Sequence, residues 1–242
     1  MKAILLAAGL GTRLRPLTDT LPKCMISVGG KPVLQRNIEW LHSQGIDDLV
    51  INLHHCPEAV TDYFGNGRDF GVRINYSYED KLWGTAGAVQ RAKEMLGPER
   101  FLVVYADNLL DCNLLRLYTV HTSRQAFLTM ALFWRQTNVS ASSTVSFDPD
   151  GRVTAFKEKP RSHEVQSHWI NAGLLLCEPE IMQFIPDNQP TDFGHAVFPA
   201  LLKANKRVYS YTMQSHETLR WIDTPADLAH TDSLYELVAQ AG

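Results

Sequence analysis

The sequence predicts an α/β protein with an open, twisted, mostly parallel sheet and helices on both faces, joined to a small β-rich portion. Three observations carry this. Short apolar runs alternate with helical patterns through the first half, a glycine-rich loop follows the first apolar run directly, and after residue 125 strand patterns separated by turn signals take over. At 242 residues, 45% of them hydrophobic, the chain can bury a full core as one large domain.

Ala3 to Ala7 reads as the first strand, Val33 to Gln44 as a helix, Leu49 to Leu53 as a strand and Pro57 to Phe64 as a second helix. A strand over 72–76, a helix over 85–96 and a strongly buried strand from Phe101 to Tyr105 follow. This order implies parallel strands with right-handed crossovers, a Rossmann-like arrangement. Beyond it, Ala126 to Phe133, Ser143 to Phe147, Val153 to Lys157 and Ile170 to Cys177 are strand-like, and Asp148-Pro149-Asp150-Gly151 marks a hairpin. The stretch from Pro225 to Ala241 is periodic in Leu and Ala and reads as a closing helix. No linker, repeat or low-complexity segment interrupts residues 1–242, so they read as one domain with halves over 1–125 and 126–242.

A net charge of −3 and a pI near 6.3 exclude a general field attracting nucleic acid or a membrane surface. Anion binding must be local. The opening apolar run is cut short by Gly9, too soon for a signal-peptide core or a membrane span, which gives a cytoplasmic expectation. Cys24, Cys56, Cys112 and Cys177 are dispersed without a CxxC pair, favouring reduced thiols that behave as small hydrophobes.

The loop after the first strand, Gly9-Leu10-Gly11-Thr12-Arg13-Leu14-Arg15-Pro16, is closed by Pro22-Lys23. Glycines there let backbone N–H groups converge on phosphate oxygens, and Arg13 and Lys23 add charge-assisted bonds. An ordinary tight turn with surface cations is the alternative reading. A dinucleotide fingerprint fails, with Leu14 at the third glycine, Pro16 two residues later and His54 where an acid belongs. A Walker A loop fails too, because Gly9 to Arg15 does not supply GxxxxGK[ST].

Asp107 directly follows the most hydrophobic strand, at the edge where open α/β sheets bind ligands, and a carboxylate there suits Mg²⁺. An Asp-Asn turn would look the same. Asp223 precedes Thr-Pro, so it reads either as a ligand or as a helix N-cap. Glu79 lies five residues before Gly84. A carboxylate can accept two hydrogen bonds from guanine, whereas uracil and thymine suit an amide better; the adjacent Asp80 could play the same role, and an exposed loop acid is the plain alternative. His54 and His55 lack further ligands at metal spacing.

The run GLGTRLRPLT…PK resembles the signature of the sugar-1-phosphate nucleotidylyltransferases. The likeness continues through Gly84-Thr85-Ala86-Gly87-Ala88, Tyr105-Ala106-Asp107-Asn108, Phe156-Lys157-Glu158-Lys159-Pro160, Asn171-Ala172-Gly173 and Trp221-Ile222-Asp223-Thr224-Pro225, with Ala106 where relatives usually show glycine. The resemblance implies transfer of a nucleoside monophosphate from a nucleoside triphosphate to a sugar 1-phosphate, with Mg²⁺ as cofactor and release of pyrophosphate. It implies Arg13, Lys23 and Asp107 as catalytic, and Asp107 with Asp223 as metal ligands. It places the nucleotide on Leu6, Ala8, Gly9, Gly11, Thr12, Arg13, Lys23, Glu79, Gly84 and Thr85. The sugar phosphate falls to Asn108 of the first half and to Glu158, Lys159, Asn171 and Gly173 of the second; the half over 1–125 is otherwise expected to bind nucleotide and the half over 126–242 the sugar phosphate. Relatives acting on uracil or thymine tend to carry glutamine near position 79, so Glu79 points to GTP, with a mannose or manno-heptose 1-phosphate. A uridylyl- or thymidylyltransferase for a glucose-type or amino-sugar 1-phosphate is the alternative. A non-catalytic sugar-nucleotide regulator would have lost Arg13, Lys23, Asp107 or Asp223, and all four remain. The chain is expected to be the compact, single-activity form without an appended β-helix, and a homodimer is the commonest assembly for such a chain.

Overall fold

The computed structural model describes residues 1–240. Along the chain run β1 (Lys2–Leu6), β2 (Ser27–Val28), β3 (Lys31–Pro32), α1 (Val33–Ser43), β4 (Asp48–Leu53), α2 (Glu58–Phe64), β5 (Arg73–Tyr78), α3 (Gly84–Arg91), α4 (Lys93–Leu96), β6 (Phe101–Tyr105), β7 (Asn108–Asp111) and α5 (Leu114–Ser123). Then come β8 (Leu128–Trp134), β9 (Thr144–Phe147), β10 (Val153–Lys157), β11 (Trp169–Cys177), α6 (Phe198–Lys203), β12 (Val208–Thr212), β13 (Thr218–Trp221) and α7 (Pro225–Gln240). The expected strands and helices are present with small shifts of their ends, except that the helix expected over 85–96 breaks at Ala92 into α3 and α4. Ala241, expected to close the last helix, lies outside the described residues.

The chain forms two compact units, each assembled from separate segments. The first comprises Lys2–Leu82, Tyr105–Asp111 and the chain from Thr218. In it β1, β4 and β5 pair in parallel, with Lys2 opposite Asp48 and Asp48 opposite Arg73. Ile4, Leu5, Val50 and Ile51 are fully buried, as near-continuous apolar runs in parallel strands require. A separate antiparallel ribbon of β7 and β13 sets Asn108 opposite Trp221. Asn37 of α1 pins the ribbon by donating its Nδ2 to the Asn108 carbonyl at 2.9 Å. Leu14, just past the glycine loop, packs into one apolar cluster with Ile26, Val28, Val33, Leu109 and Ile222, so loop and ribbon share a core.

The second unit comprises Trp83–Val104 and Cys112–Glu217. Its axis is β11, antiparallel to β6, β8 and β9, while β12 runs parallel to β8. The sheet is therefore mixed, as strands returning through hairpins must be. β9 and β10 form the expected hairpin: Asp148 Oδ1 accepts from the amides of Asp150 and Arg152, and Gly151 takes the left-handed turn position at φ 83°. Phe198 packs against Phe156 and Phe193 at 4.7 and 5.5 Å between ring centres. All four cysteines are free thiols, three of them buried. Among the described residues no helix is long and apolar enough to cross a membrane.

Leu14 is 1% exposed, so Leu14→Ala should lower unfolding free energy by ~2–5 kcal/mol in urea denaturation. The same change at Leu115, 72% exposed, should stay within about 0.5 kcal/mol of wild type.

Candidate active site

β1 ends at Leu6, and the chain turns out of the sheet through Ala7 and Ala8, both buried, into an exposed loop from Gly9 to Arg13. Gly11 has φ +60°, and a Cβ there would meet Lys23 Cβ and Thr18 Cγ2 at 2.9 Å each. Glycine is required on both counts: left-handed backbone, and passage of the Lys23 stem. Thr18 Oγ1 donates to the Gly11 carbonyl at 2.9 Å and closes the loop on itself.

Lys23 sits in a short 3₁₀ turn after Pro22 and is 6% exposed. Its ammonium donates to Asp107 Oδ2 at 2.8 Å and to Asp223 Oδ1 at 2.6 Å, while Arg13 reaches the same Asp223 oxygen at 3.1 Å. Burial works against the Lys23 charge, but Asp107 and Asp223 more than offset it and hold the ammonium above its ordinary pKa. Burial likewise opposes charge on Asp223, and Lys23 and Arg13 overcome it to hold the carboxyl below its ordinary value.

The ribbon explains why the two aspartates meet. Asp107 immediately precedes β7 and Asp223 shortly follows β13, so pairing Asn108 with Trp221 brings the flanking residues together. Ala106 donates to the Leu6 carbonyl at 3.2 Å, which ties Asp107 to the end of β1. Asp223 is not the N-cap of α7. Thr224 takes that role in a reciprocal box with Asp227: Asp227 Oδ2 accepts from the Thr224 amide and hydroxyl, and the Asp227 amide donates to Thr224 Oγ1. Asp223 is thereby left to the cations.

The pair suits a hard divalent cation. Two carboxylates already converge on one positive charge, and oxygen donors in that number match Mg²⁺, which takes its other ligands from phosphate and water. Among the described residues no cluster of three or more His, Cys, Asp or Glu could enclose a metal by itself.

A polar relay crosses the ends of β1, β4 and β5. Ala7 N donates to Asn52 Oδ1 at 2.7 Å, and Asn52 Nδ2 donates to Glu79 Oε1 at 2.8 Å. Glu79 is 7% exposed, so it is no loop-surface acid. His54 and His55 serve the backbone through the carbonyls of Glu79 and Thr18. Asn108 lies in the first unit beside Asp107, its Oδ1 buried without a partner among the described residues.

In the second unit, Gly84 has φ +74°, and a Cβ would strike the Thr191 carbonyl at 2.6 Å. Thr85 is committed internally: its amide and hydroxyl donate to Asp192 Oδ1, and its hydroxyl accepts from the Phe193 amide. β10 stops at Lys157, and Lys159 beyond it is exposed with φ +41°, a conformation costly for a lysine and enriched at functional turns. Glu158 is half-buried and accepts from Ser143 Oγ at 2.6 Å. Asn171 Oδ1 accepts from Gly173 N at 3.1 Å where β11 bulges, and Gly173 takes φ +78°. Asn52 and Ser143 were not singled out from sequence. Asn52 carries a signal, a polar residue inside the apolar run Leu49 to Leu53; Ser143 carries none.

A family model described as nucleotidyl transferase matches residues 2–240. The chain is 35% identical over 235 residues to a UTP–glucose-1-phosphate uridylyltransferase from Synechocystis, covering 92% of this chain and 60% of that protein. It is 30% identical over 240 residues to a mannose-1-phosphate guanyltransferase from Yarrowia lipolytica, covering 97% and 64%. The chain thus spans less than two thirds of the length of these relatives. A crystal structure of UDP-glucose pyrophosphorylase complexed with UDP-glucose matches its fold with a TM-score of 0.84 at 19% identity, covering 98% of each chain.

The stability lent by Asp223 is present above the ordinary carboxylate value of 3.8 and lost as pH falls through its lower folded value. That lent by Lys23 is present below 10.5 and lost only above its raised value. Lys23→Met should therefore unfold at lower urea than wild type at neutral pH, and the gap should shrink below pH ~3.8.

Proposed function

Because the chain belongs to the nucleotidyl transferase family, we propose that it transfers a nucleoside monophosphate from a nucleoside triphosphate to a sugar 1-phosphate and releases pyrophosphate. The observation that carries this is the buried Lys23, shared by Asp107 and Asp223 at the foot of the glycine loop. Two cations and two carboxylates at one point are what a polyphosphate with its counter-cation requires.

The Gly9–Arg13 backbone and the side chains of Arg13 and Lys23 bind the phosphates. On arrival of the triphosphate, Lys23 and Arg13 exchange carboxylate partners for phosphate oxygens, which frees Asp107 and Asp223. Those two carboxylates would hold a divalent cation, which would supply positive charge against the departing pyrophosphate. A phosphate oxygen of the sugar 1-phosphate forms a bond to the α-phosphorus as the α–β anhydride bond breaks. The attacking oxygen is already anionic near neutral pH, so no general base is needed, and catalysis rests on positioning and electrostatics. Lys159, Glu158, Asn171 and Gly173 supply the sugar-phosphate contacts, and the Gly84 backbone those to the base.

Glu79 favours GTP. It is buried at the carboxyl edge of the parallel strands and oriented by Asn52, as a reader of guanine's N1–H and amino group would be. The similarity to mannose-1-phosphate guanyltransferases agrees and favours a mannose-type sugar. Similarity to a uridylyltransferase keeps UTP with glucose 1-phosphate as the second reading.

Pyrophosphate release measured over a matrix of the common nucleoside triphosphates and sugar 1-phosphates tests the proposal; no release from any pair would overturn it. Asp107→Asn should lose turnover by about 100-fold or more with an unchanged far-UV circular dichroism spectrum. Glu79→Gln should move preference from GTP toward UTP or dTTP, and an unchanged preference would reject Glu79 as the base reader.

A further inference from the structure

Glu158 stands just past the end of β10, where the backbone alone does not fix a long carboxylate side chain. Two neighbours do. Ser143, immediately before β9, donates its hydroxyl to Glu158 Oε2 at 2.6 Å. Gly194, in the turn leading to α6, lies flat against the same oxygen; a Cβ at 194 would overlap Oε2 and crowd Cδ at 2.9 Å. Ser143 also accepts from the Asn171 amide through its carbonyl at 3.1 Å, so one residue fixes both Glu158 and the strand bearing Asn171. With Oε2 committed to Ser143, Glu158 offers Oε1 as its acceptor.

We propose that Ser143 and Gly194 are positioning residues for the sugar ring: the serine hydroxyl holds Glu158 Oε2, and the bare glycine gives the carboxylate its place, so that Oε1 reads a single sugar hydroxyl. This rests on the sugar-1-phosphate reading above. Ser143 acts through Glu158 and needs no contact with substrate. Gly194 acts by absence of a side chain. The obstructed atom is the far end of a flexible side chain, so a methyl at 194 displaces the carboxylate and leaves the fold intact.

The test uses the sugar 1-phosphate turned over fastest by wild type. Ser143→Ala should raise its KM about ten-fold, since a charge-assisted hydrogen bond is lost, while the KM for the triphosphate stays within about two-fold. Ser143→Thr, which keeps the hydroxyl, should restore the sugar KM. Gly194→Ala should give the same selective rise with a wild-type urea midpoint. Across monodeoxy sugar 1-phosphates, wild type should lose affinity sharply at one ring position, and Ser143→Ala should lose little more there. An unchanged sugar KM in Ser143→Ala, an equal rise in both KM values, or failure of threonine to rescue would overturn the proposal. If wild type releases no pyrophosphate, the transferase reading fails separately. Calorimetric binding of sugar 1-phosphates to the same variants then decides this one, and absence of binding by wild type overturns it.

Discussion

The arrangement depends on one buried ammonium. An unpaired lysine charge that is 6% exposed would be expelled from the fold or neutralised, so Lys23 obliges the protein to bring two carboxylates to it. The obligation propagates outward. Gly11 must lack a side chain so that the lysine stem can pass, β7 and β13 must pair in a register that joins Asp107 to Asp223, and Thr224 must cap α7 so that Asp223 stays with the cations. Each is a local choice with its own physical reason, and all of them serve the same charge.

The second unit handles its polar groups differently. No buried cation gathers them. Local hydrogen bonds fix them beside breaks in regular structure: Ser143 on Glu158 past β10, Gly173 on Asn171 at the β11 bulge, and Thr85 on Asp192 at the start of α3. Lys159 takes left-handed backbone just past the end of β10, and Gly173 takes it at the bulge inside β11, so each ladder is interrupted beside a recognition group. Rigid strands with irregular ends are the usual way a sheet carries recognition groups without disturbing its ladder.

How much of this the sequence makes legible follows from range. Ile4 to Leu6, Leu49 to Leu53 and Phe101 to Tyr105 are apolar runs whose period and flanking turns are local, and their strands form where expected. The glycine loop is legible for the same reason, since Gly9, Gly11 and Arg13 carry their meaning within a few residues. The β7 and β13 ribbon is not, because its strands are four residues each and acquire identity only by pairing across the chain. β11 looks from its residues like any buried strand; its antiparallel setting is a property of its neighbours. Of the residues that tune the site, Asn52 betrays itself as an amide in an apolar strand. Ser143 is one serine in a run of similar residues, and only Glu158 gives it a role.

The charge cluster around Lys23 is balanced while it waits: two cations, Lys23 and Arg13, face two anions, Asp107 and Asp223. A balanced cluster in a chain of net charge −3 casts little field beyond its own contacts, so it does not draw anions in from bulk solution. Its positive charge becomes available only to a ligand close enough to compete for it. Encounter should then be governed by diffusion and fit, with an association rate that varies little with ionic strength.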